Sequence, residues 1–134
     1  MDFIYRKKVR FNDSDAAGIT FFARVFDYFH IAYEDFMASK DLDLHEQFLK
    51  LKTALPVVHA ECDYKQTMVL GETINIHVKV KEVRTRTFSI EYLIIGLDGK
   101  TKAEGWTKHV YVDVNFQSVS LPEKIAEILR AELN

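Results

Sequence analysis

Pro56 divides this chain into two hydrophobic periods. Before it, from Phe22 to Met37, the apolar residues Phe22, Val25, Phe26, Phe29, Ala32, Tyr33, Phe36 and Met37 recur at spacings of three and four. Arg24, Asp27, His30, Glu34 and Asp35 take the opposite arc. That spacing gathers the apolar side chains on one face of a 3.6-residue turn and predicts an amphipathic helix. Its apolar arc is wide and rich in aromatics, so the helix is expected along the middle of a sheet rather than at its edge. A weaker helical stretch, Leu42 to Thr53, ends at Pro56.

Beyond Pro56 the period falls to two. Val57 to Val69, Thr73 to Val83, Thr87 to Leu97 and Lys102 to Phe116 are β-rich, and Leu70-Gly71-Glu72, Arg84-Thr85-Arg86 and Asp98-Gly99 stand between them as hairpin connections. Four such strands predict an antiparallel meander. In the second, Ile74, Ile76, Val78 and Val80 alternate with Asn75, His77, Lys79 and Lys81, one dry face and one wet. The last strand, carrying Trp106, Val110, Val112 and Val114, is the longest and is expected at the sheet centre or at a dimer edge. Phe3-Ile4-Tyr5 and Val9-Arg10-Phe11 predict a further strand at the N-terminus, and Ser120 is placed to cap a helix running to Leu133, with Pro122 near its first turn. The sum is an α+β chain with a buried helix on one face of an antiparallel sheet.

At 134 residues and 48% hydrophobic content, residues 1–134 fit one domain. Eighteen Lys and Arg against 20 Asp and Glu give a net charge of −2, which does not suit a protein built to bind nucleic acid or a membrane surface. An anionic ligand would need a local patch. The single cysteine, Cys62, allows neither an intramolecular disulfide nor a thiolate cluster, and fits a reducing, cytoplasmic setting. No apolar run reaches the length of a signal peptide or a membrane span, so neither export by that route nor a helical anchor is expected.

The chemistry is expected at Asp13-Ser14-Asp15-Ala16-Ala17-Gly18, a turn of residues that bond nearby amides, set just before a helix start where unpaired N–H donors collect. A calcium loop begins the same way, but Ala17 stands where an oxygen ligand is needed and Arg24 where the bidentate Glu belongs. His59-Ala60-Glu61 has the His-x-Glu of zinc deaminases without the Pro-Cys-x-x-Cys that completes the site. No metal and no cofactor are expected.

The Asp13 to Gly18 turn with Phe21 and Phe22 after it, His30-Ile31-Ala32-Tyr33-Glu34 on the helix, and Ala54-Leu55-Pro56-Val57-Val58-His59-Ala60 before the strands together resemble the 4-hydroxybenzoyl-CoA thioesterase family of the hotdog fold. Within it the last two segments look most like the 1,4-dihydroxy-2-naphthoyl-CoA hydrolases. The resemblance runs from about Tyr5 to Phe116. It implies a five-stranded antiparallel sheet wrapped around a long helix, hydrolysis of an acyl-CoA, and a homodimer or homotetramer with the site shared between subunits. It also implies that Asp15 is the catalytic acid, as nucleophile or as general base, and that a main-chain N–H near Phe22 polarises the thioester carbonyl. Gly18 and Phe21 would then border the acyl group. Arg84 and Arg86 match the region where relatives hold coenzyme A phosphates, a contact to which guanidinium suits. His59 either approaches the acyl group or is a packed strand residue. Asp13 is expected to bond turn or helix amides rather than to react.

Two departures bear on substrate. Phe22 stands where some short-chain acyl-CoA relatives carry His, and Ala23 where some 4-hydroxybenzoyl enzymes carry Pro. The expected acyl group is therefore aromatic or otherwise apolar. The competing expectations are a short-chain acyl-CoA thioesterase of the Tol-Pal-associated type and a non-catalytic module that binds acyl-CoA or acyl carrier protein.

Overall fold

The structure, a computed structural model, describes residues 3–133. In chain order it forms β1 (Phe3–Lys8), α1 (Arg24–Ser39), α2 (Leu44–Leu51), β2 (Val57–Tyr64), β3 (Thr73–Val83), β4 (Thr87–Gly96), β5 (Thr101–Val110) and α3 (Glu123–Ala131), with one 3-10 turn at Phe11–Asp13. The strands make a single antiparallel sheet in the order β1-β3-β4-β5-β2.

The expected four-strand meander is therefore corrected. β3, β4 and β5 do follow one another, but β2 pairs with β5, from Val57 opposite His109 to Tyr64 opposite Ala103. Leu70-Gly71-Glu72 does turn the chain, with Gly71 at φ +90° and the Glu72 amide donating to Val69. It closes a crossover between far-separated strands instead of a hairpin. Alternation marks a residue as strand but does not name the neighbouring strand.

Element ends shift for identifiable reasons. β2 stops at Tyr64 because the Lys65 and Gln66 amides both bond the single Lys102 carbonyl of β5 (2.8 and 3.0 Å), after which the chain turns at Met68 and Leu70 to bond the Asp15 hairpin. β5 stops at Val110, and Val112 pairs instead with Ala54 and Ser118 in isolated bridges. α3 begins after Pro122, not after a Ser120 cap, because the Leu121 amide is held by the Thr85 carbonyl at 2.8 Å.

The helix lies where its aromatic arc predicts. Val25, Tyr28, Phe29, Ala32, Tyr33, Phe36 and Met37 are buried. Across the sheet Phe36 meets Phe3 of β1 edge-on at 5.7 Å, Phe29 stacks on Tyr92 of β4 at 4.4 Å, and Tyr33 stacks on His109 of β5 at 4.2 Å. Gly105 permits this approach, since a Cβ there would stand 2.9 Å from the Phe29 ring and 2.2 Å from the Glu61 carbonyl oxygen. Burial of this face supplies most of the stabilisation, since each large apolar side chain taken from water contributes about 1.5–3 kcal/mol.

One polar chain threads the core. Burial pushes the His109 imidazole down to about 4, so the ring is neutral at pH 7. Its Nδ1–H donates to the Leu55 carbonyl (3.3 Å), its Nε2 accepts from Thr107 (2.9 Å), and Thr107 in turn accepts from the Tyr92 hydroxyl (2.8 Å). His109, Thr107 and Tyr92 thus each have a partner in this chain of bonds.

Candidate active site

The Asp15 turn is a short hairpin. The Asp15 amide donates to Ile19 (2.9 Å) and the Gly18 amide to the Asp15 carbonyl (3.1 Å). Gly18 sits at φ +78°, a conformation that a Cβ disfavours. The crossover after β2 anchors this hairpin from below, with the Thr20 amide on Met68 (2.8 Å) and the Leu70 amide on Gly18 (2.9 Å).

The two carboxylates of the motif have different surroundings. Asp13 is buried, which opposes its charge, but the Arg10 amide (2.9 Å) and the Lys7 ammonium (3.2 Å) outweigh burial and hold the carboxyl below its usual value. Its carbonyl also takes the Phe21 amide (2.8 Å). It is a brace for the turn. Asp15 is exposed, and its Oδ1 accepts from the Ala17 amide at 2.8 Å. No partner for Oδ2 occurs among the described residues, so one carboxylate oxygen is open to a reacting group.

The helix start supplies donors. α1 carries no side-chain N-cap. The Phe21 carbonyl takes the Arg24 amide at 2.8 Å, and the Phe22 carbonyl takes the Tyr64 hydroxyl at 2.6 Å and the Val25 amide at 3.4 Å. The amides of Phe22 and Ala23 have no acceptor among the described residues. In a trans peptide N–H opposes C=O, so the Phe22 amide points away from the helix body, where the positive end of the helix dipole concentrates.

These groups share one cavity. Asp15, Phe21, Phe22, Val25, Tyr64 and Met68 line a surface hollow of about 450 Å³, in which, among the described residues, Asp15 is the only carboxylate and Lys65 the only cation. Its walls are otherwise largely apolar, and Phe22 is 63% exposed at its rim.

Other expected residues lie elsewhere in this chain. His59 stands on β2, its ring stacked on Trp106 at 4.5 Å and its Nε2 2.8 Å from Glu61; it does not line the Asp15 hollow. Arg84 and Arg86 occupy the β3–β4 turn, Arg84 paired with Glu82 and Arg86 donating to the Ser118 carbonyl at 3.3 Å. That turn and the Asp15 turn sit at opposite ends of the sheet, since β3 runs from Thr73, beside Lys8, to Val83. The sequence reading missed Tyr64 and Met68. Neither carries a local signal, because what matters is their arrival beside a helix start some forty residues earlier.

Among the described residues no three His, Cys, Asp or Glu side chains gather as a metal site, and no helix is long and apolar enough to cross a membrane.

Comparison with known proteins gives the following. The thioesterase-like superfamily profile matches residues 9–129. A 1,4-dihydroxy-2-naphthoyl-CoA hydrolase from Nostoc punctiforme is 32% identical over 130 residues, covering 96% of this chain and 87% of that protein. The structure of a hypothetical protein from Aquifex aeolicus superposes with a TM-score of 0.88 at 30% identity, over 95% of this chain and 98% of that one. A 1,4-dihydroxy-2-naphthoyl-CoA thioesterase from Synechocystis shares the fold at a TM-score of 0.90 and 24% identity, over 97% and 96% of the two chains.

Proposed function

From the premise that this chain belongs to the thioesterase-like superfamily and has its hotdog fold, we propose that it hydrolyses an aromatic or other apolar acyl-CoA to the free acid and coenzyme A. The observation that carries this reading is the meeting of the open Asp15 oxygen and the unpaired amides of Phe22 and Ala23 on one apolar hollow. A thioester carbonyl oxygen placed against those amides would find its developing negative charge stabilised.

Two routes fit. In one, Asp15 adds to the carbonyl carbon, the coenzyme A thiolate leaves and takes a proton from water, and a second water hydrolyses the mixed anhydride, restoring Asp15. In the other, Asp15 takes a proton from water as that water adds, and the thiolate leaves with the proton. Label left in Asp15 after a single turnover in ¹⁸O-water identifies the anhydride route with water adding to the Asp15 carbon, since the general-base route puts no water oxygen on Asp15. Gly18 holds the turn, and Phe21 and Phe22 border the acyl group.

A second copy of the chain completes the site in this reading. β2 is an edge strand, exposed along nearly its whole length, with Val57 and Val58 open to solvent. Such an edge invites pairing. Antiparallel pairing of β2 with β2 of a second copy, a two-fold contact, brings the Val57 end of one beside the Tyr64 end of the other. Arg84 and Arg86 of the second copy then approach the Asp15 end, where they would hold the phosphates of coenzyme A. The homodimer, or a pair of such dimers, is the expected assembly, and the lone thiol of Cys62 suits the cytoplasm.

The test is free-thiol release from naphthoyl-, benzoyl- and short aliphatic CoA thioesters. Release is expected from the aromatic substrates, and Asp15→Asn is expected to lose most of it while staying folded. Wild-type turnover by Asp15→Asn overturns the assignment of Asp15. Preference for the short aliphatic esters, or thermal stabilisation by ligand without thiol release, overturns the aromatic thioesterase reading.

A further inference from the structure

α2 is a helix that its own chain leaves uncovered. Asp43 caps its start, accepting from the His45 amide at 2.9 Å and the Glu46 amide at 3.1 Å, and Lys52, at φ +58°, closes its end by donating its amide to the Gln47 carbonyl. Yet none of its eight residues is buried. A helix of that length is marginal in water and is sustained in proteins by packing an apolar face. Phe48, Leu49 and Leu51 are 62%, 62% and 61% exposed, so that packing has to come from outside the chain.

The position of α2 says what covers it. Phe48 borders a small cavity together with His30 and Tyr33 of α1 and with Thr53, Ala54 and Leu55, the residues that lead toward β2. Its apolar surface therefore continues into Val57 and Val58 on the exposed β2 edge. Pairing of β2 alone, about 26 Å of strand by about 10 Å of depth, covers roughly 260 Å², against roughly 800 Å² per partner in a stable dimer. The shortfall has to be met on the same flank.

Antiparallel pairing turns the second copy about an axis perpendicular to the sheet, so both α1 helices lie on one side and the Val57 end of one copy meets the Tyr64 end of the other. Beside Tyr64 stands Phe22, whose carbonyl accepts from the Tyr64 hydroxyl, with the Phe21 ring 4.8 Å from its own and both rings exposed. One rotation thus brings two uncovered apolar surfaces together, α2 and the rim of the Asp15 hollow, and does so twice.

We infer that α2 of a second copy roofs the Asp15 hollow and that its Phe48 is the wall against which the acyl group ends, a specificity-determining residue that acts across the interface. The inference rests on the thioesterase reading and on its two-fold pairing of β2. Phe48→Ala enlarges the space at the acyl end and Phe48→Trp reduces it, and neither removes a buried residue from its own chain.

The test is made in trans. Phe48→Ala is expected to raise kcat/KM for 2-naphthoyl-CoA relative to benzoyl-CoA about tenfold over wild type, and Phe48→Trp to lower that ratio by about the same factor. Heterodimers of Phe48→Ala with Asp15→Asn, co-expressed with two tags and purified by both, hold one wild-type site and one site with both substitutions, and should return the wild-type ratio. A heterodimer that keeps the Phe48→Ala ratio puts Phe48 at its own chain's site and overturns the inference, as does a ratio that neither single substitution moves.

Sedimentation velocity keeps the two readings apart. Phe48→Asp, which sets a charge into the contact twice, should raise the dimer dissociation constant by at least about a hundredfold while the circular dichroism stays that of wild type. A dimer that this substitution leaves intact overturns the contact. A wild type whose dimer depends on Phe48 but which releases no thiol sinks the thioesterase reading and leaves the α2 contact standing; one that releases thiol as a monomer does the reverse.

Discussion

The hydroxyl of Tyr64, at the end of β2, donates to the main-chain carbonyl of Phe22 at 2.6 Å. This bond ties the edge of the sheet to the peptide that leads into α1, and so fixes the direction in which the neighbouring free amides point. Tyr64→Phe keeps the ring and removes the tie. The expected result is a fall in kcat of about tenfold with a much smaller change in KM, because the amides matter most as charge develops on the oxygen. Steady-state kinetics on an aromatic CoA ester measures it.

Gly18→Ala should cost about 1 kcal/mol of stability. Nothing lies within 4 Å of a Cβ at Gly18, so the cost comes from its φ of +78° and not from collision. Urea denaturation reads the stability, and Gly18→Asn, better tolerated at positive φ, should lose less.

At Gly105 the cause is collision. A Cβ there meets the Glu61 carbonyl oxygen at 2.2 Å and the Phe29 ring at 2.9 Å, so either β2 or α1 must move. Gly105→Ala is expected to lose about 3 kcal/mol. A urea midpoint within error of wild type would refute this account of the helix seat.

Acid should weaken the fold through His109. Its folded value, pushed down to about 4, lies below the ordinary 6.5, so the unfolded chain binds the proton first. The neutral ring's contribution is complete above pH 6.5 and is lost as pH falls through the window down to about 4. The loss amounts to about 3 kcal/mol. Unfolding free energies at pH 7, 5.5 and 4 should show this slope, and His109→Gln, less stable at neutral pH, should show a flatter one.

Much of the fold was legible because periodicity is a local property. The run from Phe22 to Met37 gave the helix and its seat, and Ile74 to Val80 gave a strand with one dry face. The strand order was not legible, since β2 and a neighbour in a meander would carry the same alternation. The site divides in the same way. Asp13, Asp15 and Gly18 stand in one turn with turn chemistry written into it, whereas Tyr64 and Met68 depend on where distant segments land. The positions of His59, Arg84 and Arg86 away from the Asp15 hollow have the same origin: sequence order carries no information about which end of a sheet a hairpin occupies.

The crossover from β2 to β3 passes beneath the Asp15 turn and is bonded to it at Met68 and Leu70. Because β2 forms one rim of the sheet and β3 lies next to the other, this short strap joins both margins through the Asp15 turn. Loosening at either margin, by substitution along β1 or β2, reaches Asp15 without crossing the core, so its alignment tracks the integrity of the whole perimeter.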